Sequence, residues 1–509
     1  MSISDQTNEV KFTGLRAYIW PVTRKEAKKV LPLALMMFFV LFNYTILRDI
    51  KDVLVLTAHG CGSESFSFLK AWGTLPCVII LMACYGKLST TLSKPVLFRS
   101  TVLFFFGVFA TLGYVVFPNA DLLYASPEWI DKMAIAYPRA RHIVALIGNW
   151  GLSLFYIFSE LWGSVGISVI FWQLANEITR VREAKRMYPL FGLVGNFGLM
   201  ISGPLLIILT RMHSHISVEE GKWPKILNWV FLSLSIAFCV ILYLHNWIQK
   251  NVLTDKELYN PEEIGAKKKK KVKLGFIEGL RIILTSKYLG FIALLIFGYN
   301  MTISFVDATF KNQLKLLFMG NQAGMTEFYG AYSLATGVFA AFLMIAGANL
   351  TRRLSWKTCA LITPLVVLVA GSSFFLLAIF KEQASVLLSA FGLSPVALAV
   401  FIGAGLIIIV RSAKYSLFDP TKEMAYIPLD DSIKTQGKAA VDGVGGRLAK
   451  SSSGVIQQIL FVLIPTATQM SIAPLLGILS IIITLLWLYS VLGLSRLFEQ
   501  KMQEERSDN

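Results

Sequence analysis

The sequence predicts an all-α polytopic membrane protein in which about twelve transmembrane helices form two six-helix bundles. Three observations carry that expectation. Of 509 residues, 55% are hydrophobic and only 16% are charged, a balance foreign to a water-soluble chain of this length. Apolar stretches of roughly twenty residues or more, each long enough to cross a bilayer as a helix, follow one another along the chain. A polar and basic interval then divides these stretches into equal halves.

In order, the expected spans cover 29–48, 67–87, 97–117, 142–178, 188–210 and 227–248, then 287–312, 328–349, 357–380, 386–416, 438–465 and 473–495. The fourth and tenth are longer than a bilayer requires and are expected to tilt or to extend beyond it. The start, MSISDQTNEVKFTGLRAYIWPVTRKEAKK, lacks the short apolar core and cleavage site of a signal peptide, so the first span is expected to stay as an anchor. It also lacks the long Ser- and Arg-rich, acid-poor character of a plastid transit peptide. The chain therefore divides into an N-terminal segment (1–28), a first bundle (29–248), a basic linker (249–286), a second bundle (287–495) and a tail (496–509).

Charge supplies the orientation. The net charge is +17, and the bases are positional: Arg24, Lys25, Lys28 and Lys29 precede the first span, while Arg180, Arg182, Lys185, Arg186 and the Lys267–Lys271 run follow even-numbered spans. Loops rich in Lys and Arg stay in the cytoplasm, which predicts that both termini, the linker and the tail are cytoplasmic. The basic excess is a topology signal with some attraction to anionic lipid, and no nucleic-acid partner is expected. Five cysteines show neither a CxxC pair nor His spacing, so neither a disulfide framework nor a metal site is expected.

A faint repeat relates the halves: Asn43-Tyr-Thr-Ile in the first span matches Asn300-Met-Thr-Ile in the seventh, with charges following both. With the linker and the topology, this favours parallel halves with a site at their interface, the major-facilitator-like arrangement that works by alternating access.

Charged residues within apolar spans are costly and rare unless they pair or serve a path. Glu160 lies near the middle of the fourth span. The first span ends in NYTILRDIKDVL, where Arg48 and Asp52, four apart, are expected to pair. Lys70 opens the second span; Asp307, Lys311 and Lys315 make one stripe of the seventh. The tenth carries Arg411 and Lys414 ahead of Pro420, which lacks the amide that would continue the helix and is expected to break it. In the eleventh, Arg447 and Lys450 share a face among several glycines.

The candidate cavity bases are Lys51, Lys70, Lys311, Arg447 and Lys450, set against Glu160 and Asp307. Excess base in a cleft of low dielectric points to a polyanionic substrate such as a phosphate ester. Tyr44, Trp72, Tyr156, Trp162 and Phe310 interleave with these bases and are candidates for stacking a flat ring.

The segments NYTILRDIKDVL, ELWGSVGISVIFWQLANEIT, AKRMYPLFGLVGN, KYSLFDPTKEMAYIPLD and GKAAVDGVGGRLAKS closely resemble the nucleotide transporter (ATP/ADP translocase) family of plastids and obligate intracellular bacteria, rickettsiae and chlamydiae among them. The likeness spans nearly the whole chain. It implies exchange of external ATP for internal ADP, with phosphate a candidate companion of ADP. By motif it also implies functional charges at Lys70, Glu160, Asp307 and Lys450. Asp307 stands where the family commonly has glutamate, and Phe310 where it often has tryptophan.

The expectation is thus a secondary active ATP/ADP antiporter of a bacterial inner membrane, a monomer without cofactor or metal, using Lys70, Glu160, Asp307, Lys450, Arg447, Lys311, Lys51 and Tyr44. In the empty carrier Glu160 and Asp307 are expected to pair with Lys70 and Lys450. The rivals are a proton-coupled nucleotide importer or NAD/ADP exchanger of the same family and, remotely, a Mg-dependent membrane transferase using Asp49 with Asp52 or Asp430 with Asp431.

Overall fold

A computed structural model describes residues 22–213, 215, 222–255, 258–259, 276–429, 437–438, 441, 446–464 and 466–507. Among these no strand occurs. The helices are α1 (Arg24–Thr57), α2 (Ser65–Thr91), α3 (Lys94–Leu123), α4 (Pro127–Ala136), α5 (Arg141–Gly148), α6 (Trp150–Ile178), α7 (Val181–Met212) and α8 (Lys222–Asn251). They continue with α9 (Phe276–Thr285), α10 (Lys287–Phe318), α11 (Gln322–Arg353), α12 (Trp356–Ile379), α13 (Lys381–Ser389), α14 (Pro395–Ala425), α15 (Gly446–Leu463) and α16 (Gln469–Ser507). Among the described residues, 10 helices are long and apolar enough to cross a membrane, and α11 and α15 occupy the two remaining expected spans.

Both overlong spans turn out to be interrupted. Segment 142–178 ends a helix at Gly148 and restarts at Trp150, because the Asn149 side chain donates to the carbonyls of Ala145 and His59 at 2.8 and 3.1 Å and so caps the first piece. Segment 386–416 is cut by Gly392, whose φ of +66° suits glycine, and α14 restarts under a Ser394 cap. The expected break at Pro420 is absent. A π-helical turn over Lys414–Phe418 resets the ladder, so Pro420 falls in a new first turn where no amide is required.

The stretch read as a linker ends in α9, and its Lys267–Lys271 run lies outside the described residues. The stretch read as a tail prolongs α16 to Ser507.

Two sets of helices pack around separate centres. In the first, α1 lies against α6, α7 and α8; in the second, α10 lies against α14, α15 and α16. The sets meet where α7 runs along α11, where α2 begins against α15, and where α1 touches α10 and α11. The α7–α11 crossing has no room for side chains: a Cβ on Gly203 would lie 2.3 Å from the Gly330 carbonyl oxygen, and one on Gly330 would lie 2.7 Å from that of Gly203. Small residues let membrane helices approach to backbone contact in this way.

Polar bonds between the sets gather at the end of the bundle where α1 finishes. There Gln322 donates to Thr57, Lys315 to the Cys61 carbonyl, Gln458 to the Ser67 carbonyl and Arg141 to the Ala467 carbonyl, at 2.6 to 3.2 Å. Toward the Arg24 end, Asn196 of α7 donates to the Met344 sulfur of α11 at 3.3 Å, and other described bonds join helices of one set, as where buried Lys29 meets Glu183 at 2.6 Å.

Candidate functional site

Inside the bundle, toward the Thr57 end, charged side chains from α1, α6, α10 and α14 form a continuous ladder. Glu160 lies 3.0 Å from Lys51, Lys51 2.8 Å from Asp52, Asp52 3.0 Å from Lys311, Lys311 3.1 Å from Asp307, and Asp307 3.1 Å from Arg411. Signs alternate along the whole row, and the row passes from one helix set to the other at Asp52 and Lys311. A second link lies beside it: Arg48 holds Asp49 at 2.9 Å, and both bond the Ser333 hydroxyl of α11.

Local helix geometry explains the rungs. Asp307 and Lys311 are four apart on α10 and therefore share a face. Lys51 and Asp52 are neighbours and point about 100° apart, so one reaches α6 while the other reaches α10. Each ladder lysine also rests on an aromatic face, Lys51 4.3 Å from the Tyr156 ring and Lys311 4.1 Å from that of Phe66. Charge pairing with ring contact makes burial of these ammonium groups tolerable.

The two ends of the ladder are open. Glu160 and Arg411 keep 36% and 34% of their side-chain surface accessible, whereas Lys51 and Lys311 keep 4% and 6%. Lys70 is accessible too. It sits on the π-helical turn Leu69–Thr74 of α2, within the fields of Lys311, Lys51, Asp307 and Glu160, and it has no ion pair among the described residues. In this cleft each carboxylate is already matched by another base.

Of the residues selected from sequence, Lys51, Lys70, Glu160, Asp307, Lys311 and Tyr44 come together here. Tyr44 is half-buried beside Arg48, and Gly163 provides its space, since a Cβ there would lie 2.5 Å from the ring. Arg447 and Lys450 lie on the described backbone of α15, but their side chains are outside the described residues. Asp430 and Asp431 also lie outside them.

Several expected pairings are corrected. Arg48 bonds Asp49, not Asp52, which is taken by Lys51 and Lys311. Glu160 pairs with Lys51 rather than Lys70, because Lys51 lies on the face of α1 that packs against α6. Asp307 is held by its own helix neighbour Lys311 and by Arg411, and its expected pairing with Lys450 falls on a side chain outside the described residues. Tyr156, Trp162 and Phe310 are buried in the core and have no face free for a ligand, while Trp72 points to the bundle's outer wall. Asp52 and Arg411 were overlooked as site members; the signal was present in Arg411, a base directly after the apolar run GLIIIV.

The family model described as "TLC ATP/ADP transporter" matches residues 5–498. The chain is 41% identical over 512 residues to "ADP,ATP carrier protein 1" of Chlamydia pneumoniae, covering 99% of each, and 38% identical over 498 residues to the protein of the same name from Rickettsia prowazekii, covering 98% of each. It is 37% identical to "ADP,ATP carrier protein 3" of Rickettsia prowazekii over 96% of this chain and 98% of that one.

Among solved structures, a bacterial homologue of the iron transporter ferroportin in an inward-facing state superposes with a TM-score of 0.57 at 14% identity, covering 93% of this chain and 100% of that one. The nucleoside transporter NupG does so with a TM-score of 0.53 at 11% identity, over 91% and 99%. These two likenesses bear on the fold alone: an all-α polytopic membrane architecture. By the extent of the family match and the identity of its relatives, the chain belongs to the TLC ATP/ADP transporter family.

Proposed function

We propose that this protein exchanges ATP for ADP across a bacterial inner membrane by alternating access, as a secondary active antiporter. The observation that carries the site assignment is Lys70, an accessible ammonium without an ion pair among the described residues, beside a ladder in which every acid is already matched. An anion in the cleft finds that charge uncompensated. A polyphosphate suits it, because Lys binds phosphate as a point charge and Arg as a fork.

Lys70 and Arg411 approach the cleft from different helix sets, so one nucleotide can draw the sets together. Lys450 and Arg447 extend this basic wall by the family resemblance. Glu160 and Asp307 hold the ladder bases in place, and Tyr44 offers the cleft a ring for the nucleobase. With the termini cytoplasmic, the Thr57 end faces outward and its polar bonds close the external side. The conformation described is then closed to the outside. Exchange is obligatory if the basic cleft crosses slowly when empty and quickly when phosphate neutralises it.

The names of the relatives favour ADP,ATP exchange over proton-coupled import or NAD exchange. The test is uptake of labelled ATP by proteoliposomes holding the purified protein. Uptake that requires internal ADP, is unaffected by a protonophore and reverses on adding external unlabelled ADP is the expected result. Uptake into vesicles without nucleotide, abolished by a protonophore, would overturn it. Repeating the assay with phosphate inside decides whether phosphate travels with ADP.

A further inference from the structure

At the Thr57 end, the outer wall of the first helix set carries a groove of about 450 Å³ between the opening turns of α2 and the pair α5 and α6. Its walls are apolar, and they are uncovered: Trp72 is 73% and Ile147 62% exposed, with Ile143 and Trp150 also open. The polar side-chain groups along it are largely satisfied from within the protein. The Ser153 hydroxyl donates to the Leu146 carbonyl at 2.7 Å and the Trp150 indole to the Leu123 carbonyl at 2.9 Å. Nothing in the groove calls for water or a polar ligand.

Both α2 and α6 are membrane-spanning helices, so the phase covering this wall is lipid. Tryptophans at the ends of spans mark the level where headgroups meet chains. Bases are close along the chain: Arg139 precedes α5 by two residues, and Lys132 is carried by α4, which packs on α5 through Ile130 against Gly148. Both bases are exposed.

We propose that this groove is a binding site for one acyl chain of an anionic phospholipid, its phosphate met by Lys132 and Arg139. The site has a second consequence. The π-helical turn Leu69–Thr74 that forms one wall, through Leu69, Trp72 and Gly73, is the turn that carries Lys70 toward the cleft. π turns inside helices are frequent at functional sites, where one extra residue redirects a side chain. Gly73 lets the turn close on α6, since a Cβ there would lie 2.7 Å from Ile157. A chain in the groove packs this turn from outside and fixes the direction of Lys70. This second consequence rests on the exchange function proposed above; the lipid site does not.

The experiment is native mass spectrometry of the full-length protein titrated with phosphatidylglycerol, alongside ATP/ADP exchange in liposomes of that lipid. Ile147→Asp places a carboxylate in the groove, and Ile147→Trp fills it while keeping it apolar. Leu122→Asp, at a site 84% exposed and outside the groove, controls for an added surface charge. Expected is one tightly retained phosphatidylglycerol in the wild type and in Leu122→Asp, with occupancy reduced at least tenfold in both Ile147 variants and exchange slowed several-fold. Equal retention in Ile147→Trp and wild type would overturn the site. Lost lipid with unchanged exchange would overturn the link to Lys70. A wild type that binds the lipid and exchanges nothing would instead overturn the function proposed above.

Discussion

Asp52 of α1 and Lys311 of α10 meet at 3.0 Å and tie one helix set to the other in the interior of the bundle. Each has a second partner, Lys51 for Asp52 and Asp307 for Lys311, so this rung is the place where the charge ladder can part without leaving either ion unpaired. A rocking motion needs such a joint, because breaking a buried pair without a replacement leaves an uncompensated charge.

Removing one partner of this rung should therefore cost more than removing both. Asp52→Asn or Lys311→Met alone unbalances the ladder and should destabilise the closed end by about 3–5 kcal/mol. The double variant leaves Glu160 with Lys51 and Asp307 with Arg411, both still paired. Thermal unfolding in detergent should show each single variant melting well below wild type and the double variant recovering much of the loss. Additive losses would contradict the ladder.

Lys70 should behave in the opposite way. With no ion pair among the described residues, Lys70→Gln orphans no described acid, and its melting temperature should remain within a few degrees of wild type. Its loss should appear in substrate affinity. One charge-assisted contact of about 1.5–3 kcal/mol corresponds to a KM for ATP raised roughly 10- to 100-fold in the exchange assay. An unchanged KM would remove Lys70 from the phosphate site.

The α7–α11 crossing predicts a steric effect without charge. Gly203→Ala puts a methyl group 2.3 Å from the Gly330 carbonyl oxygen, backbone that cannot step aside, whereas Gly86→Ala meets nothing within 4 Å. Gly203→Ala should lower the melting temperature and slow exchange at least tenfold; Gly86→Ala should do neither. Exchange rates of the two variants in proteoliposomes, normalised to inserted protein, make the comparison.

The charges that matter were legible because a membrane span advertises them. Glu160 and Asp307 stand out in apolar runs, and Lys311 follows Asp307 at helical spacing, so their local pairing could be anticipated. Arg48 and Asp52 have the same spacing and do not pair. Periodicity alone could not separate the two cases: neighbouring helices reach Asp52 from α10 and Asp49 from α11, and those contacts take precedence over the i,i+4 option.

The interruptions were hidden for a related reason. Asn149 sits in an apolar run like any small polar residue, and its effect depends on reaching the His59 carbonyl, 90 positions away.

By itself the sequence determined the class of protein, the order of its apolar helices and the residues whose charge demands a partner. Those follow from the cost of placing polar groups in hydrocarbon, which acts on each segment separately. Only the tertiary structure decided that Glu160 takes Lys51, that Arg411 completes the ladder at Asp307 and that Lys70 stands outside it. An ion pair forms at about 3 Å, and at that distance the outcome depends on helix rotation and on how closely α7 and α11 can approach, which no single segment contains.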